Sequence, residues 1–202
     1  MKYPKLRELK EAVKALIRGP YTSRFPYEPH IPKEGFRGKP QYFEEDCMGC
    51  TACYQVCPPG AIEYTDEVKD GMGIRRLSID LDVCIMCGQC QANCPTEKGI
   101  VLMPEFDLAT VKTRIDKQKI EKELILCEAC NSIIAPYEQL LWVAKKLGSL
   151  SFSNVSLILA YLGNIKLTLD EKPSFKEENE FIRSDRFKIL CPRCRREAVL
   201  KS

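Results

Sequence analysis

The sequence predicts an α+β fold that contains bound metal, and three observations support this prediction. Cysteine accounts for 12 of the 202 residues, and these cysteines fall into sets of four, four, two and two. Apolar residues near the N-terminus recur with the period of an amphipathic helix. Between the two sets of four, alternating apolar residues and glycines are typical of two short strands joined by a turn.

The cysteine pattern favours metal ligation over disulfide bonding. A secreted disulfide framework spaces its cysteines less regularly and follows a signal peptide. Here residues 1–14 are charged throughout and contain no apolar segment. The longest apolar run, near residues 155–163, is far shorter than the roughly 20 residues that span a bilayer. We therefore expect thiolate ligands in a reducing compartment, the cytoplasm.

Residues 1–41 are predicted to form a docking region. An amphipathic helix is expected over residues 4–18, with one apolar stripe made of Leu6, Leu9, Val13, Leu16 and Ile17. Residues 20–41 contain five of the chain's 13 prolines, which favours an extended arm over regular structure. Residues 1–40 carry a charge of +6 and residues 41–104 a charge of −6. The arm is therefore expected to lie on a partner or an anionic membrane surface.

Residues 42–104 contain an internal repeat that indicates two iron–sulfur clusters. Two copies of C-x₂-C-x₂-C-x₃-C-P begin at Cys47 and Cys84. In two-cluster proteins with this motif, the fourth cysteine of each copy ligates the other cluster. The predicted [4Fe–4S] ligands are therefore Cys47, Cys50, Cys53 and Cys94 for the first cluster, and Cys84, Cys87, Cys90 and Cys57 for the second. The region is expected to be a bacterial-type two-cluster ferredoxin core, with a hairpin that turns at residues 71–73. A role for the clusters as structural staples alone and zinc binding by these loops both fit the pattern less well.

Residues 105–202 are predicted to form a helical lobe that a metal site closes. Two helices are expected, over residues 136–147 and 154–162, with Gly148 and Gly163 ending them. Four cysteines flank these helices in two C-x-x-C pairs: Cys127, Cys130, Cys191 and Cys194. Such pairs build tetrahedral S₄ sites, for which Zn²⁺ is the first choice and a single iron the second. A third cubane and four unligated buried cysteines are the remaining alternatives.

The sequence contains none of the motifs for nucleotide binding, nucleophilic catalysis or zinc proteolysis. Its single histidine, His30, lies in the proline-rich arm. Whether the chain is an enzyme is therefore open, because no catalytic site is visible. The two predicted clusters instead indicate a role in electron transfer.

The double cluster motif, the basic N-terminal helix and the segment FPYEPHIPKEGFRGKP together resemble a known family. They are similar to the eight-iron ferredoxin-like subunit shared by respiratory complex I and membrane-bound energy-converting [NiFe] hydrogenases. The two C-x-x-C pairs make the chain look most like the formate hydrogenlyase type. This resemblance implies a peripheral position on the cytoplasmic side of the cell membrane. It implies as partners the hydrogenase large and small subunits, membrane subunits and an electron-input protein.

Three alternatives to this interpretation are kept. The chain could serve a complex I-like or other respiratory oxidoreductase, or it could be a free soluble ferredoxin. A freely diffusing carrier has no need of the N-terminal arm. A nucleic-acid reader that uses the basic segment RCRR is disfavoured, because residues 105–202 carry only +3 and lack interleaved aromatic residues.

Overall fold

The computed structural model describes residues 5–19, 22–69, 71–111, 117–164 and 188–200. It divides the chain into two compact units, Met1–Phe36 and Arg37–Ser202. Helices and strands are both present, as an α+β fold requires. Pro20 and residues 165–187, which are part of the segment between the two C-x-x-C pairs, lie outside the described residues.

The first unit contains helix α1, Leu6–Arg18. The backbone N–H of Lys5 donates to Glu8 Oε2 at 3.0 Å, which satisfies one of the free donors at the helix N-terminus. Gly19 ends the helix with a φ of 79°, a conformation that glycine adopts without a steric penalty. No residue of α1 is buried, and residues 22–36 form turns and bends with no helix or strand.

The second unit contains two antiparallel sheets. Strand β1, Pro40–Tyr42, pairs with β4, Ile100–Leu102. Strands β2, Ile62–Lys69, and β3, Met72–Ile79, form the predicted hairpin. Lys69 pairs with Met72, so only two residues, an Asp-Gly dipeptide, separate the strands. The predicted turn covered residues 71–73, but residues 72 and 73 already belong to β3.

Two further strands, which the sequence analysis did not anticipate, extend this hairpin into a four-stranded sheet of order β2-β3-β5-β6. Strand β5, Gln118–Leu126, pairs with β3 from Gly73↔Leu124 to Ile79↔Gln118. Strand β6, Ile133–Pro136, then pairs with β5. Both new strands come from the part of the chain that follows residue 105, so this part contributes half the strands of the sheet.

The remaining elements are helices. Two one-turn helices, α2 at Ala52–Gln55 and α3 at Gln89–Ala92, each lie within one cysteine motif. Helix α4, Tyr137–Leu147, is followed by a 3₁₀ segment, Gly148–Ser153, and by helix α5, Val155–Asn164. Helix α5 runs past Gly163, so the expectation that this glycine ends it is wrong. Helix α6, Pro192–Leu200, begins within the last C-x-x-C pair.

The larger hydrophobic core joins both sheets to the cysteine loops. It contains the fully buried Leu77 and Ile79 of β3, with Ile62, Ile100 and Ile120 from three other strands. Cys53 and Cys90 belong to the same core, so each cysteine motif contributes one side chain to it. None of the described helices is long and apolar enough to cross a membrane.

The close approach of β3 and β5 gives a test of the unanticipated strand. A Cβ added at Gly73 would lie 2.8 Å from the Cβ of Leu124, so Gly73→Ala forces the strands apart. We expect a loss of about 1–3 kcal/mol in the free energy of unfolding, typical of overpacking. The neighbouring Met72→Ala, at an exposed position, should change stability by less than about 0.5 kcal/mol. Thermal unfolding measures both, and a Gly73→Ala protein as stable as the wild type would contradict the pairing.

Candidate iron–sulfur and metal centres

The two cysteine loops share one backbone conformation. Three pairs of residues that are 37 positions apart have positive φ: Gly49 and Met86 at 70° and 52°, Thr51 and Gly88 at 63° and 80°, Gly60 and Glu97 at 66° and 62°. Each pair contains one glycine and one residue for which this left-handed conformation costs about 1–2 kcal/mol. The repeat offset in the sequence is also 37 residues. The sequence repeat is therefore also a structural repeat. Met86, Thr51 and Glu97 adopt the same backbone conformation as the glycines at the equivalent positions.

The first cavity contains Cys47, Cys50 and Cys53 from the first motif and Cys94 from the second. Its volume, which includes space open to solvent, is about 320 Å³. The other walls come from the loop of residues 48–52, from residues 95–99, and from Tyr42, Leu77 and Ile100 of the strands. The first cavity thus brings together the four cysteines that motif spacing assigns to one cluster.

The second cavity contains Cys84, Cys87 and Cys90 together with Cys57. Its volume, measured in the same way, is about 360 Å³. Strand residues again form the floor, here Pro40, Ile62, Ile79 and Leu102. Each cavity therefore gathers three cysteines from one motif and the fourth from the other.

The two strand pairs place the cavities side by side. In the β1–β4 ladder, the pair Tyr42↔Ile100 lines the first cavity and the pair Pro40↔Leu102 lines the second. In β3, Leu77 lines the first cavity and Ile79 the second. Residues two apart on a strand are separated by about 7 Å and point to the same face. The cavities are therefore neighbours on one continuous apolar floor.

The residues present fit a pair of four-iron clusters. Each cavity offers four thiol groups, the ligand set of a [4Fe–4S] cluster, within a mostly apolar lining. Burial raises the pKa of Cys47 and of Cys90 to about 11. Without metal these thiols would stay protonated at neutral pH, so cluster binding must displace their protons. Burial of this kind favours a bound cation over a reactive free thiolate.

Hydroxyl groups contact two sulfurs of the first cavity. The Tyr42 hydroxyl lies 3.5 Å from Cys53 Sγ, and the Thr96 hydroxyl lies 3.3 Å from Cys94 Sγ. Burial and the neighbouring Cys53 raise the pKa of Tyr42 above its ordinary value, so its hydroxyl remains a donor. In the second cavity, the backbone N–H of Met86 donates to Cys84 Sγ at 3.4 Å.

A row of charged residues lies across β2, β3 and β5 behind the first loop. Asp66 pairs with Arg75, and Arg75 pairs with Lys122, across adjacent strands. Arg75 makes a bidentate ion pair with Asp66, both distances being 2.7 Å, and donates to the Gly49 carbonyl at 2.9 Å. Lys122, only 5% exposed, donates to the Glu44 carbonyl at 2.6 Å and lies 3.3 Å from a carboxylate oxygen of Glu138. We call these residues the charge row; its two cations hold the loop that carries Cys47 and Cys50.

Sequence reasoning missed these supporting residues. Tyr42, Thr96 and Arg75 lie outside the cysteine motif, and spacing alone does not indicate that they face it. Lys122 could have been found, because it interrupts the alternation of apolar residues Ile120, Leu124 and Leu126. A charged residue at a position where a strand is buried needs a partner and often marks a site.

The four C-terminal cysteines form a separate cluster. The sulfur atoms of Cys127, Cys130, Cys191 and Cys194 all lie within 4.8 Å of one another. Cys130 Sγ and Cys191 Sγ are 3.7 Å apart. A tetrahedral ion with metal–sulfur bonds of about 2.3 Å has sulfur–sulfur edges of about 3.8 Å. The cysteines therefore fit a single tetrahedral ion.

Hydrogen bonds hold these two pairs of cysteines together. The Cys191 N–H points to Cys127 Sγ at 3.3 Å, and the Cys194 N–H points to Cys191 Sγ at 3.5 Å. Backbone donation from Cys194 lowers the pKa of Cys191 to about 6. Glu128 and Ile189 exchange two further bonds, of 3.0 and 2.9 Å, that join the first pair to the segment before the second.

The arginines beside the last C-x-x-C pair bind other groups. Arg195 donates to Asn154 Oδ1 at 3.0 Å and to Ser156, which ties α6 to the start of α5. Arg193 lies 3.3 Å from Glu197 on the same helix. Arg195, which follows Cys194 directly in the sequence, therefore helps to pack α6 against α5.

The sequence comparisons agree with this geometry. Residues 46–98 match the family described as the 4Fe-4S dicluster domain. The matched segment begins just before the first motif and ends just after the second. The fold and the two cavities thus define a protein with a two-cluster iron–sulfur domain.

Similar proteins extend the match beyond this domain. The chain is 40% identical to NAD(P)H-quinone oxidoreductase subunit I of Gloeobacter violaceus over 46% of this chain and 45% of that protein. It is 31% identical to NADH-quinone oxidoreductase subunit I 2 of Geobacter metallireducens, over 54% of this chain and 87% of the relative. It is 30% identical to formate hydrogenlyase subunit 6 of Escherichia coli, over 63% of this chain and 69% of the relative.

The chain belongs to the family of iron–sulfur subunits that includes NADH-quinone oxidoreductase subunit I and formate hydrogenlyase subunit 6. The resemblance inferred from the motifs is thereby confirmed. The chain spans just under half the length of the first of these relatives.

Crossed ligation can be tested with paired substitutions. If the cavities define the ligand sets, Cys57→Ser and Cys87→Ser should alter one and the same cluster signal in EPR spectra of the reduced protein. Cys94→Ser and Cys50→Ser should alter the other signal. Grouping of Cys57→Ser with Cys50→Ser, its partner within the motif, would contradict the assignment.

Proposed function

We propose that this chain is an electron-transfer subunit that relays electrons through two [4Fe–4S] clusters within a larger oxidoreductase complex. The observation that carries the proposal is the composition of the two adjacent cavities, each with three cysteines of one motif and one of the other. When bound, each cluster would accept and release single electrons. Family membership supports the same role.

The chain's own residues contribute position and environment. Cys47, Cys50, Cys53 and Cys94 would hold the first cluster, and Cys84, Cys87, Cys90 and Cys57 the second. The apolar floor that both cavities share limits water around the ligands. It also fixes the spacing between the two centres, because both cavities are built on the same strands.

We propose a formate hydrogenlyase-like hydrogenase complex as the setting. Its partners would be the hydrogenase large and small subunits, membrane subunits and an electron-input protein. The similarity to formate hydrogenlyase subunit 6 over 69% of that protein supports this setting. The similarity to NADH-quinone oxidoreductase subunits makes a complex I-like assembly the second candidate.

We further propose a division of labour along the chain. Residues 1–41 would dock the subunit, and residues 42–104 would hold the clusters. Residues 105–202 would form the metal-closed lobe, while β5 and β6 of this part also complete the four-stranded sheet. The docking role is supported by the exposed stripe of α1, in which Leu6, Leu16 and Ile17 are at least 80% exposed. An amphipathic helix with basic flanks suits a boundary between protein and anionic membrane. This favours a peripheral position on the cytoplasmic side of the membrane.

The proposed function can be tested on the native assembly. The subunit is isolated with an affinity tag from its source, and iron, acid-labile sulfide and subunit composition are measured. We expect two four-iron clusters that become reduced when the complex turns over. A chain that elutes alone in gel filtration and still carries all electron flow would instead be a free soluble ferredoxin.

Deletion of residues 1–18 tests the docking role. Because α1 contributes no buried residue to its own unit, its removal should leave both clusters assembled. The truncated subunit should be lost from the complex, measured by co-purification and by cluster EPR of the unbound fraction. Replacement of Lys14 by Ala, on the charged side of α1, is the matched control and should retain binding. Full retention of the truncated chain would show that α1 is not an anchor.

For the C-terminal cysteines we propose a structural ion, with Zn²⁺ as first choice and a single iron as second. The 3.7 Å sulfur–sulfur distance and the backbone N–H groups that point to sulfur support a closed four-thiolate site. Such an ion would contribute folding free energy by holding together segments that are about 60 residues apart.

Cys191→Ser distinguishes a structural ion from a redox centre. With a structural ion, the variant should lose one metal ion per chain and become sensitive to protease after residue 130. Complex that still assembles should keep both cluster signals and near-normal turnover. Arg193→Ala, at an exposed position of the same helix, should change none of these. Loss of one iron with loss of turnover in assembled complex would instead indicate a redox site.

A further inference from the structure

The two cavities are alike in ligand type, loop conformation and cysteine exposure. Both have four cysteine ligands and loops of the same backbone conformation. In each, one cysteine is buried and three are half-buried. Ligand type and exposure therefore do not distinguish two bound clusters, and the surrounding polar groups must do so.

Side-chain hydroxyls contact cysteine sulfurs in the first cavity, and the described lining of the second cavity contains none. In the first cavity, Tyr42 and Thr96 contact ligand sulfurs at 3.5 and 3.3 Å. Their counterparts in the repeat, 37 positions away, are Ile79 and Pro59, which line the second cavity. None of the residues described as lining the second cavity carries a side-chain hydroxyl.

The cations that contact the two loops differ in the same way: one of those at the first loop is buried and the other half-buried. Lys122 is 5% exposed, and Arg75 is 12% exposed; both donate to carbonyls of the loop that carries Cys47 and Cys50. At the second loop, Arg37 donates to the Cys87 carbonyl at 3.0 Å, but its side chain is exposed. Water and salt screen an exposed charge much more strongly than a buried one.

The anions of the charge row oppose this effect. Asp66 accepts from Arg75, and Glu138 accepts from Lys122, and one oxygen of Glu138 is buried without a hydrogen-bond partner among the described residues. Only the two cations donate to carbonyls of the loop. Lys122 Cβ and Cγ are also the closest atoms to Gly49, at 3.1 Å from a Cβ built there. The cation of each ion pair is therefore in direct contact with the loop of the first cavity.

We propose that Lys122, with the hydroxyls of Tyr42 and Thr96, holds the midpoint potential of the first cluster above that of the second. Reduction adds one electron, and so one negative charge, to a cluster and its thiolates. Hydrogen-bond donors and a buried cation stabilise the more negative state and raise the potential. The proposal rests on the proposed loading of both cavities with clusters. It makes the first cluster the electron-accepting member of the pair.

Redox titration of the intact complex, followed by EPR, tests this assignment. Signals are assigned to each cavity with the cysteine variants Cys57→Ser and Cys94→Ser. In the wild type we expect the first cluster to be reduced at the higher potential. Equal midpoints, or a higher midpoint for the second cluster, would overturn the inference. Absence of two clusters would instead refute the proposed function.

Substitutions then identify the residues responsible. Tyr42→Phe keeps the ring and removes only the hydroxyl, so it should lower the midpoint of the first cluster and leave the second unchanged. Lys122→Met combined with Glu138→Gln removes both members of the buried ion pair and should produce a shift in the same direction. Lys122→Arg keeps the positive charge and should therefore keep the wild-type midpoint of the first cluster. Lys119→Met, at an exposed position of β5, should change neither midpoint.

A purely structural role for Lys122 gives a different result. In that case Lys122→Met/Glu138→Gln would reduce cluster content, but the remaining clusters would keep their wild-type midpoints. If the double variant does not assemble, Tyr42→Phe still decides the question. A Tyr42→Phe protein in which neither midpoint moves, or both move equally, would overturn the proposal.

Discussion

The pairing of β5 with β3 is the interaction on which the rest of the second unit depends. It joins the part of the chain that follows residue 105 to the hairpin that lies under the cysteine loops. Through this pairing Lys122 reaches the first loop, and Cys127 follows directly after the last residue of β5. One strand thus sets the positions of Lys122 beside the first loop and of Cys127 in the C-terminal cysteine cluster.

The pairing of β5 with β3 places two cations next to each other, and neighbouring residues offset their repulsion. Arg75 and Lys122 are directly opposed on adjacent strands, where like charges destabilise a sheet. Asp66 and Glu138 pair with them, and two loop carbonyls accept hydrogen bonds from them. A buried cation without such partners would be strongly unfavourable. Both cations of the charge row are therefore partnered, and each also binds a carbonyl of the loop that carries Cys47 and Cys50.

The motif was predictable from the sequence, but its surroundings were not. The spacing of cysteines from Cys47 to Cys94 indicated crossed sets, since the chemistry of a four-thiolate cluster restricts loop length closely. Strand β5 was missed because Lys122 occupies a buried position in the middle of it, and this hides the alternation of Ile120 and Leu124. The hairpin was predicted, but Met72 and Gly73, which had been assigned to its turn, belong to β3. Contacts between distant segments, such as Tyr42 with Cys53, leave no local signal at all.

Spin–spin interaction in the fully reduced protein tests the central claim most directly, because it depends on two clusters lying side by side. EPR spectra of the native complex are recorded at partial and at full reduction, with iron and sulfide analysis of the same sample. We expect two four-iron signals that broaden and split when both clusters are reduced, since the two cavities share one apolar floor. A single four-iron cluster, or two signals that remain unchanged when both are reduced, would contradict the structure presented above.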